Sequence, residues 1–84
     1  IQEEDPDLFS LYPNPSSGLI TINLNRGSEG LVEVFDLRGQ KVYSEQIMDA
    51  TINIDLGSYS STMYIVKISS LDGSKFAHRK VMIK

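Results

Sequence analysis

Side chains that could carry out chemistry are few in this 84-residue chain. It contains no cysteine and a single histidine, His78, so it lacks a thiol nucleophile and has little material for a histidine-based metal site. His78 could in principle activate a serine, but the sequence has no Gly-x-Ser-x-Gly elbow. We therefore expect His78 to be a surface or packing residue, and we expect neither enzymatic activity nor a cofactor.

Four aspartates form the next candidate group, since Asp36, Asp49, Asp55 and Asp72 each stand at a predicted turn or strand end. An aspartate in such a position usually accepts hydrogen bonds from the backbone N–H groups that follow it. None of the four has the ligand spacing of a calcium-binding loop. We expect them to organise turns, with calcium binding as the alternative.

The tyrosines are the third candidate group. Tyr12, Tyr43, Tyr59 and Tyr64 could stack on sugar rings if they shared one surface. Tyrosines of a small β-sandwich more often pack half-buried with a hydrated hydroxyl. Sugar binding is therefore the alternative to a packing role.

The charges are divided between the two ends of the chain. The net charge is -3, but residues 1–10 hold four acids and no base, whereas residues 75–84 hold four bases and no acid. A basic tail can bind an acidic partner, and the alternative is that its charges are merely solvated. Nucleic acid is not an expected partner, because the chain is acidic overall and its basic end contains Phe76 as the single aromatic residue.

The length of the chain is sufficient for one small domain. No apolar run approaches the ~18 residues of a membrane-spanning helix, so direct membrane insertion is not expected. No signal-peptide pattern opens the sequence, and if the protein is exported we expect that signal upstream. Residues 1–7 are acidic and lack periodicity, which predicts a linker from an upstream domain.

The elements that position these side chains are predicted to be strands, and the central pair is a hairpin over residues 31–47. Val32 and Val34 alternate with polar or outward residues, which is typical of a strand with one buried face. Asp36 and Gly39 supply the reversal, because glycine adopts positive φ and aspartate accepts N–H groups. Whether this turn has two or four residues stays open.

Five further strands follow from the same alternation, over residues 8–12, 19–24, 51–56, 63–69 and 75–83. Asp72-Gly73 predicts a hairpin turn with positive φ at both central positions. About seven short strands with turns between them predict an all-β fold, a small antiparallel immunoglobulin-like β-sandwich. The last strand has no successor, so we expect it at a sheet edge.

Several motifs, taken in order, resemble a known family. Tyr-Pro-Asn-Pro-Ser-Ser-Gly at residues 12–18, Val-Phe-Asp-Leu-Arg-Gly-Gln-Lys-Val at 34–42, Ile-Asp-Leu at 54–56, Tyr-Ile-Val-Lys-Ile at 64–68 and Lys-Val-Met-Ile-Lys at 80–84 resemble the C-terminal sorting domain of the type IX secretion system, type A class. The resemblance covers residues 8–84. One departure is Thr62, where the family pattern commonly has glycine.

The resemblance implies a non-enzymatic secretion signal carried by an upstream cargo domain. Such proteins reach the periplasm with an ordinary signal peptide, and the type IX outer-membrane translocon then recognises the folded domain. A sortase-like cysteine peptidase usually removes it, here in or just before residues 1–7, and the cargo is anchored at the cell surface or released. The alternative is a small adhesive or carbohydrate-binding β-sandwich appended to an extracellular enzyme.

The secretion-signal hypothesis predicts roles for two groups of residues. The machinery is expected to recognise the closing segment, with the alternative that these residues only complete the fold: Lys80, Val81, Met82, Ile83 and Lys84. A second group is expected to maintain the fold: Pro13, Asn14, Pro15, Gly18, Asp36 and Gly39. Thr62 disfavours positive φ, so we expect a remodelled turn before Tyr64.

Overall fold

The structure, a computed structural model, describes residues 3–25, 27 and 29–84, and its regular elements are strands. Because apolar residues recur at every second position, each long strand has one face to bury. The eight strands are β1 (Glu3–Glu4), β2 (Phe9–Tyr12), β3 (Leu19–Leu24), β4 (Gly30–Phe35), β5 (Lys41–Ile47), β6 (Thr51–Asp55), β7 (Met63–Ser69) and β8 (Lys75–Met82).

The strands form two sheets that enclose the core between them. One sheet has the order β1-β8-β7-β4-β5 and the other has the order β2-β3-β6. Every pairing is antiparallel except that of β1 with β8, which is parallel. The all-β sandwich predicted from the sequence is confirmed, with one more strand than the seven expected.

The core is built from the inward positions of both sheets, and the predicted faces are confirmed. Val32 and Val34 of β4 are fully buried, as are Ile20 and Ile22 of β3. The other large buried side chains lie on the remaining strands and their flanks: Phe9, Ile47, Ile54, Leu56, Val66, Ile68, Val81 and Ile83.

The expected position of the last strand at a sheet edge is wrong. β1 lies beyond β8, pairing Glu3 with Lys75 and Glu4 with Phe76. Two residues without apolar alternation gave no strand signal, and they sit inside the segment predicted to be a linker. Ile1 and Gln2 fall outside the described residues, and the role of residues 1–7 as a linker stays a prediction.

The two tight hairpins have loops of different length. Asp36 pairs with Gln40 around a three-residue loop, and Gly39 takes the expected positive φ of 85°. Between β7 and β8 the prediction of positive φ at both Asp72 and Gly73 is wrong, because among the described residues only glycines have positive φ. Ser70 pairs with Lys75 instead, which makes a four-residue loop.

Strand directions divide the sandwich into two ends. β4 and β8 both run antiparallel to β7, and Phe35 of β4, Ile65 of β7 and Lys80 of β8 form one cross-strand row. The end beyond this row, here called the motif end, carries residues 13–18, 36–40, 56–62 and 80–84. The opposite end, called the junction end, carries residues 3–7, 48–50 and 70–74. None of the described residues forms a helix. The described part of the chain therefore contains no helix that is long and apolar enough to cross a membrane.

Candidate recognition site at the C-terminal strand

The closing segment presents two kinds of side chain in alternation. Val81 is fully buried and Ile83 is 2% exposed, so both belong to the core. Lys80, Met82 and Lys84 point outward, with Met82 37% exposed. Of the five residues predicted for recognition, these three therefore form an accessible surface, and the other two anchor it.

Asn14 fastens the outer edge of β8 with its side chain. Its Nδ2 donates to the carbonyl of Lys80 at 2.9 Å, and its Oδ1 accepts from the backbone N–H of Met82 at 3.1 Å. A side-chain amide that donates and accepts in this way substitutes for a neighbouring strand. Asn14 itself follows one cis proline bond and precedes another, at Pro13 and Pro15.

Ser16 continues this edge pairing with its backbone. Its N–H donates to the carbonyl of Met82 at 2.9 Å, and its carbonyl accepts from the N–H of Lys84 at 2.8 Å. Its buried hydroxyl donates to the carbonyl of Leu19 at 2.8 Å and accepts from the N–H of Gly18 at 3.0 Å. Ser16 was not among the residues predicted from the sequence, although a serine hydroxyl in a turn often bonds a nearby backbone group.

Gly18 allows this turn to pack against the next loop. Its φ is +139°, and a Cβ built there would lie 2.7 Å from the Cα of Gly57. Its carbonyl accepts from the N–H of Leu56 at 2.8 Å. A side chain would thus separate two backbone segments that are in direct contact, which supports a fold-keeping role for Gly18.

Thr62 binds the end of the chain through its backbone. Its carbonyl accepts from the N–H of Ile83 at 2.9 Å. Its φ is not positive, because every described residue with positive φ is a glycine. The departure from the family pattern is therefore accommodated without the conformation that threonine disfavours.

The Asp36 hairpin lies at the same end but across β7 from the closing segment. Asp36 Oδ1 accepts from the N–H groups of Arg38 at 2.9 Å and Gln40 at 3.0 Å, which confirms its predicted role in the turn. These bonds, the Gln40 N–H foremost, lower the pKa of the Asp36 carboxyl. Gly39 has open space around its Cα, so the turn needs it for its conformation alone.

The motif end is basic. It carries Arg38, Lys80 and Lys84, and Lys41 adjoins it at the start of β5. Within the described part of the chain Arg38 pairs with Asp36 at 3.1 Å and Lys41 pairs with Glu33 at 3.2 Å. Lys80 and Lys84 have no ion-pair partner among the described residues. Their charges are thus available to an acidic partner.

The other candidate residues do not converge on one place. His78 is exposed, with its Nδ1 3.6 Å from Glu4 and its ring stacked at 6.4 Å on Phe76. Tyr64 is buried in the core, whereas Tyr12 is 49% exposed on the outer face of the smaller sheet. The rings of Tyr59 and Tyr64 lie 6.2 Å apart, centroid to centroid, but Tyr64 is buried, so the four tyrosines do not form the exposed shared platform that sugar stacking requires.

Comparison with known families fits this arrangement. A family model described as the secretion system C-terminal sorting domain matches residues 10–84, which include Asn14, Ser16 and the whole closing segment. The chain belongs to this family. It is a type IX secretion C-terminal sorting domain, a secretion tail rather than a catalytic domain.

Two curated relatives of the sorting domain are large enzymes. An ulvan lyase from Nonlabens ulvanivorans is 30% identical over 73 residues, and an endo-acting ulvan lyase from Formosa agariphila is 25% identical over 75 residues. These matches cover 86% and 88% of the sorting domain but 14% of each lyase. The chain thus spans about a seventh of the length of these relatives.

Proposed function

We propose that this sorting domain directs an attached upstream protein through the type IX outer-membrane translocon, which reads the exposed side chains of the closing segment. The observation that carries the proposal is the alternation of Lys80, Met82 and Lys84 with two buried residues, on a strand fastened by Asn14 and Ser16. The protein passes through the periplasm and ends at the cell surface or outside the cell.

The positions of the motif end and the junction end support recognition of the domain by the translocon at the motif end. The upstream chain enters at Glu3, opposite the first residue pair of β8. β8 has eight residues, which at ~3.3 Å per residue span about 26 Å. Because the cargo joins at the far end of this strand, its size does not obstruct the closing segment.

Removal of the domain is the second part of the proposal. A sortase-like cysteine peptidase cuts near residues 1–7, and the cargo is then anchored at the surface or released. The two ulvan lyases share only a tail-sized region with this chain. Their activity is therefore not transferred to the cargo, whose chemistry is set by the rest of its own chain.

The test separates recognition from folding. A signal peptide and a reporter are placed before residues 1–84 in a host that has the type IX machinery. The double variant Lys80→Glu/Lys84→Glu is expected to lower surface export about tenfold, because it reverses the charge of the surface that is read. The control Lys67→Glu/Lys75→Glu makes the same change of net charge away from the motif end and should be exported normally.

Thermal unfolding of both purified variants shows whether they fold. Normal export of a folded Lys80→Glu/Lys84→Glu variant would mean that the closing segment only completes the fold. Deleting residues 80–84 is less informative, because it also removes Val81 and Ile83 from the core.

A further inference from the structure

The segment that precedes β2 is attached to the sandwich by backbone pairing. The N–H of Glu3 donates to the carbonyl of Ser74 at 2.7 Å, and the N–H of Asp5 donates to the carbonyl of Phe76 at 2.8 Å. These bonds use the outer edge of β8, on the side away from β7. Backbone pairing with the fold is therefore present already at Glu3, five residues before the buried side chain of Leu8.

Opposite charges accompany this pairing. Glu3 lies 3.9 Å from Lys75 Nζ, and Glu4 lies 3.6 Å from His78 Nδ1. An acidic segment thus lies along a strand whose side chains are basic. The acidic segment near the start of the sequence and the basic segment near its end are thus in contact in the structure.

The residues between β1 and β2 are also held. The carbonyl of Pro6 accepts from the guanidinium of Arg79, which lies 5.2 Å over the ring of Phe9. The carbonyl of Asp7 accepts from Asn25 Nδ2 at 3.0 Å. The N–H of Leu8 donates to the carbonyl of Asp5 at 3.0 Å. Each of the four residues from 5 to 8 therefore has at least one backbone group in a hydrogen bond.

We infer that β1 is a cover strand that restricts where the domain can be cut from its cargo. A peptidase binds its substrate as an extended segment whose backbone groups pair with the enzyme. In this segment the N–H groups of Glu3 and Asp5 and the carbonyls of Pro6 and Asp7 are already paired with the fold. Cleavage therefore takes place upstream of Glu3 while β1 is in place. Bonds between Glu3 and Leu8 become accessible only after β1 leaves β8.

This inference rests on the proposed removal of the domain, and it specifies the position of the processing site. Where the cargo is released, the reaction is hydrolysis of one peptide bond, in which one water supplies a hydroxyl to the new carboxylate and a proton to the new amine; where the cargo is anchored, an amine at the cell surface takes the place of the water and forms a new amide. No other reactant is required. The folded domain itself decides which bond the peptidase reaches, because β1 blocks the later ones.

The test uses a purified fusion of a reporter, a flexible linker and residues 1–84. Proteinase K digests the native fusion, and mass spectrometry identifies the first residue of the stable fragment. We expect that fragment to retain Glu3 in the unmodified protein. In Glu3→Pro, which removes the N–H that bonds Ser74, cleavage between residues 3 and 8 should become about tenfold faster, because the cover strand loses one of the backbone bonds that hold it to the edge of the sheet.

Glu3→Ala is the matched control, since it also removes the ion pair with Lys75 but keeps the N–H. Its cleavage rate should stay within about twofold of the unmodified protein. Amide hydrogen exchange provides a second measurement that needs no variant: the N–H groups of Glu3 and Asp5 should exchange more slowly than that of Glu4. Loss of residues 3–7 as fast as the linker, or equal exchange at the three positions, would overturn the inference.

The digestion is independent of the export test. A protected junction in a fusion that is not exported would count against the proposed function alone. An exported fusion whose junction is open would count against the cover strand alone.

Discussion

The two ends of β8 are fastened in different ways. At the motif end, Asn14, Ser16 and Thr62 bind the backbone of the last residues, next to side chains that are fully buried. At the junction end, the short parallel pairing with β8 and the exposed contacts of Glu3 with Lys75 and of Glu4 with His78 hold β1. One strand is thus firmly fixed at one end and lightly covered at the other.

This difference matches the two operations that the domain is proposed to undergo. A surface that is read must keep one geometry, and bonds beside a packed core provide that. A strand that only limits where a peptidase cuts needs less support, and the exposed contacts that hold β1 contribute little stability. Local opening is therefore expected at the junction end before the motif end.

The largest expected effect comes from two glycines, one at each end. Gly18→Ala puts a Cβ 2.7 Å from the Cα of Gly57 at a φ of +139°, which should lower the free energy of unfolding by about 2–4 kcal/mol. Gly73→Ala, at a φ of +75° with open space around it, should cost about 1 kcal/mol. Urea denaturation measures both, and equal losses would contradict a firmer motif end.

The Asn14 side chain gives the next largest effect. Asn14→Ala removes two hydrogen bonds to β8 and should lower the free energy of unfolding by about 1–3 kcal/mol. Asn14→Asp keeps the acceptor for Met82 but places a carboxylate oxygen against the carbonyl of Lys80, so it should cost at least as much. If Asn14→Asp were as stable as the unmodified domain, the bond to Lys80 would contribute nothing to the fastening.

The fold could be predicted because burial on one face of a strand imposes a period of two. Ile20, Ile22 and Leu24 show this period directly, and the structure buries all three. β1 could not be predicted in this way, because Glu3 and Glu4 bury nothing. Its position depends on a charge and backbone match with β8, more than 70 residues along the chain.

The sequence motifs of the candidate site could be predicted, but the hydrogen bonds that join these motifs could not. Asn14 bonds to residues 66 and 68 positions away, and sequence spacing carries no information about which strand a turn will face. The turn before β8 was predicted at the right residues, 71–74, but with the wrong conformation, for a similar reason. Ser70 and Ser74 bond to Asp72 there, which favours a wider loop than the Asp-Gly pair alone indicates.

Acid should weaken the junction-end hairpin through Asp72. The N–H and hydroxyl of Ser74, with the hydroxyl of Ser70, lower the pKa of Asp72 from 3.8 to about 2. A carboxyl with a lowered pKa stabilises the fold above its unfolded value, and that contribution is lost as the pH falls from 3.8 through about 2. Thermal unfolding between pH 5 and pH 2 should therefore show a smaller acid-induced decrease for Asp72→Asn than for the unmodified domain.

Asp36 permits the same measurement at the motif end. Its pKa is also lowered, chiefly by the N–H of Gln40, so Asp36→Asn should change the acid response in the same direction. A decrease as steep in both asparagine variants as in the unmodified domain would show that neither turn carboxylate contributes to acid sensitivity.

The smallest expected effect is the loss of the β1 side chains. Glu3→Ala/Glu4→Ala removes the ion pair with Lys75 and the contact with His78, which as exposed interactions contribute at most about 1 kcal/mol. Glu29→Ala/Asp49→Ala removes the same charge from residues that have no ion pair within the described part of the chain. Urea denaturation in low salt should separate the two double variants slightly, and molar salt should remove the difference because it screens exposed charges. A difference that persists in molar salt would mean that β1 is held as firmly as the motif end, and the contrast between the two ends would fail.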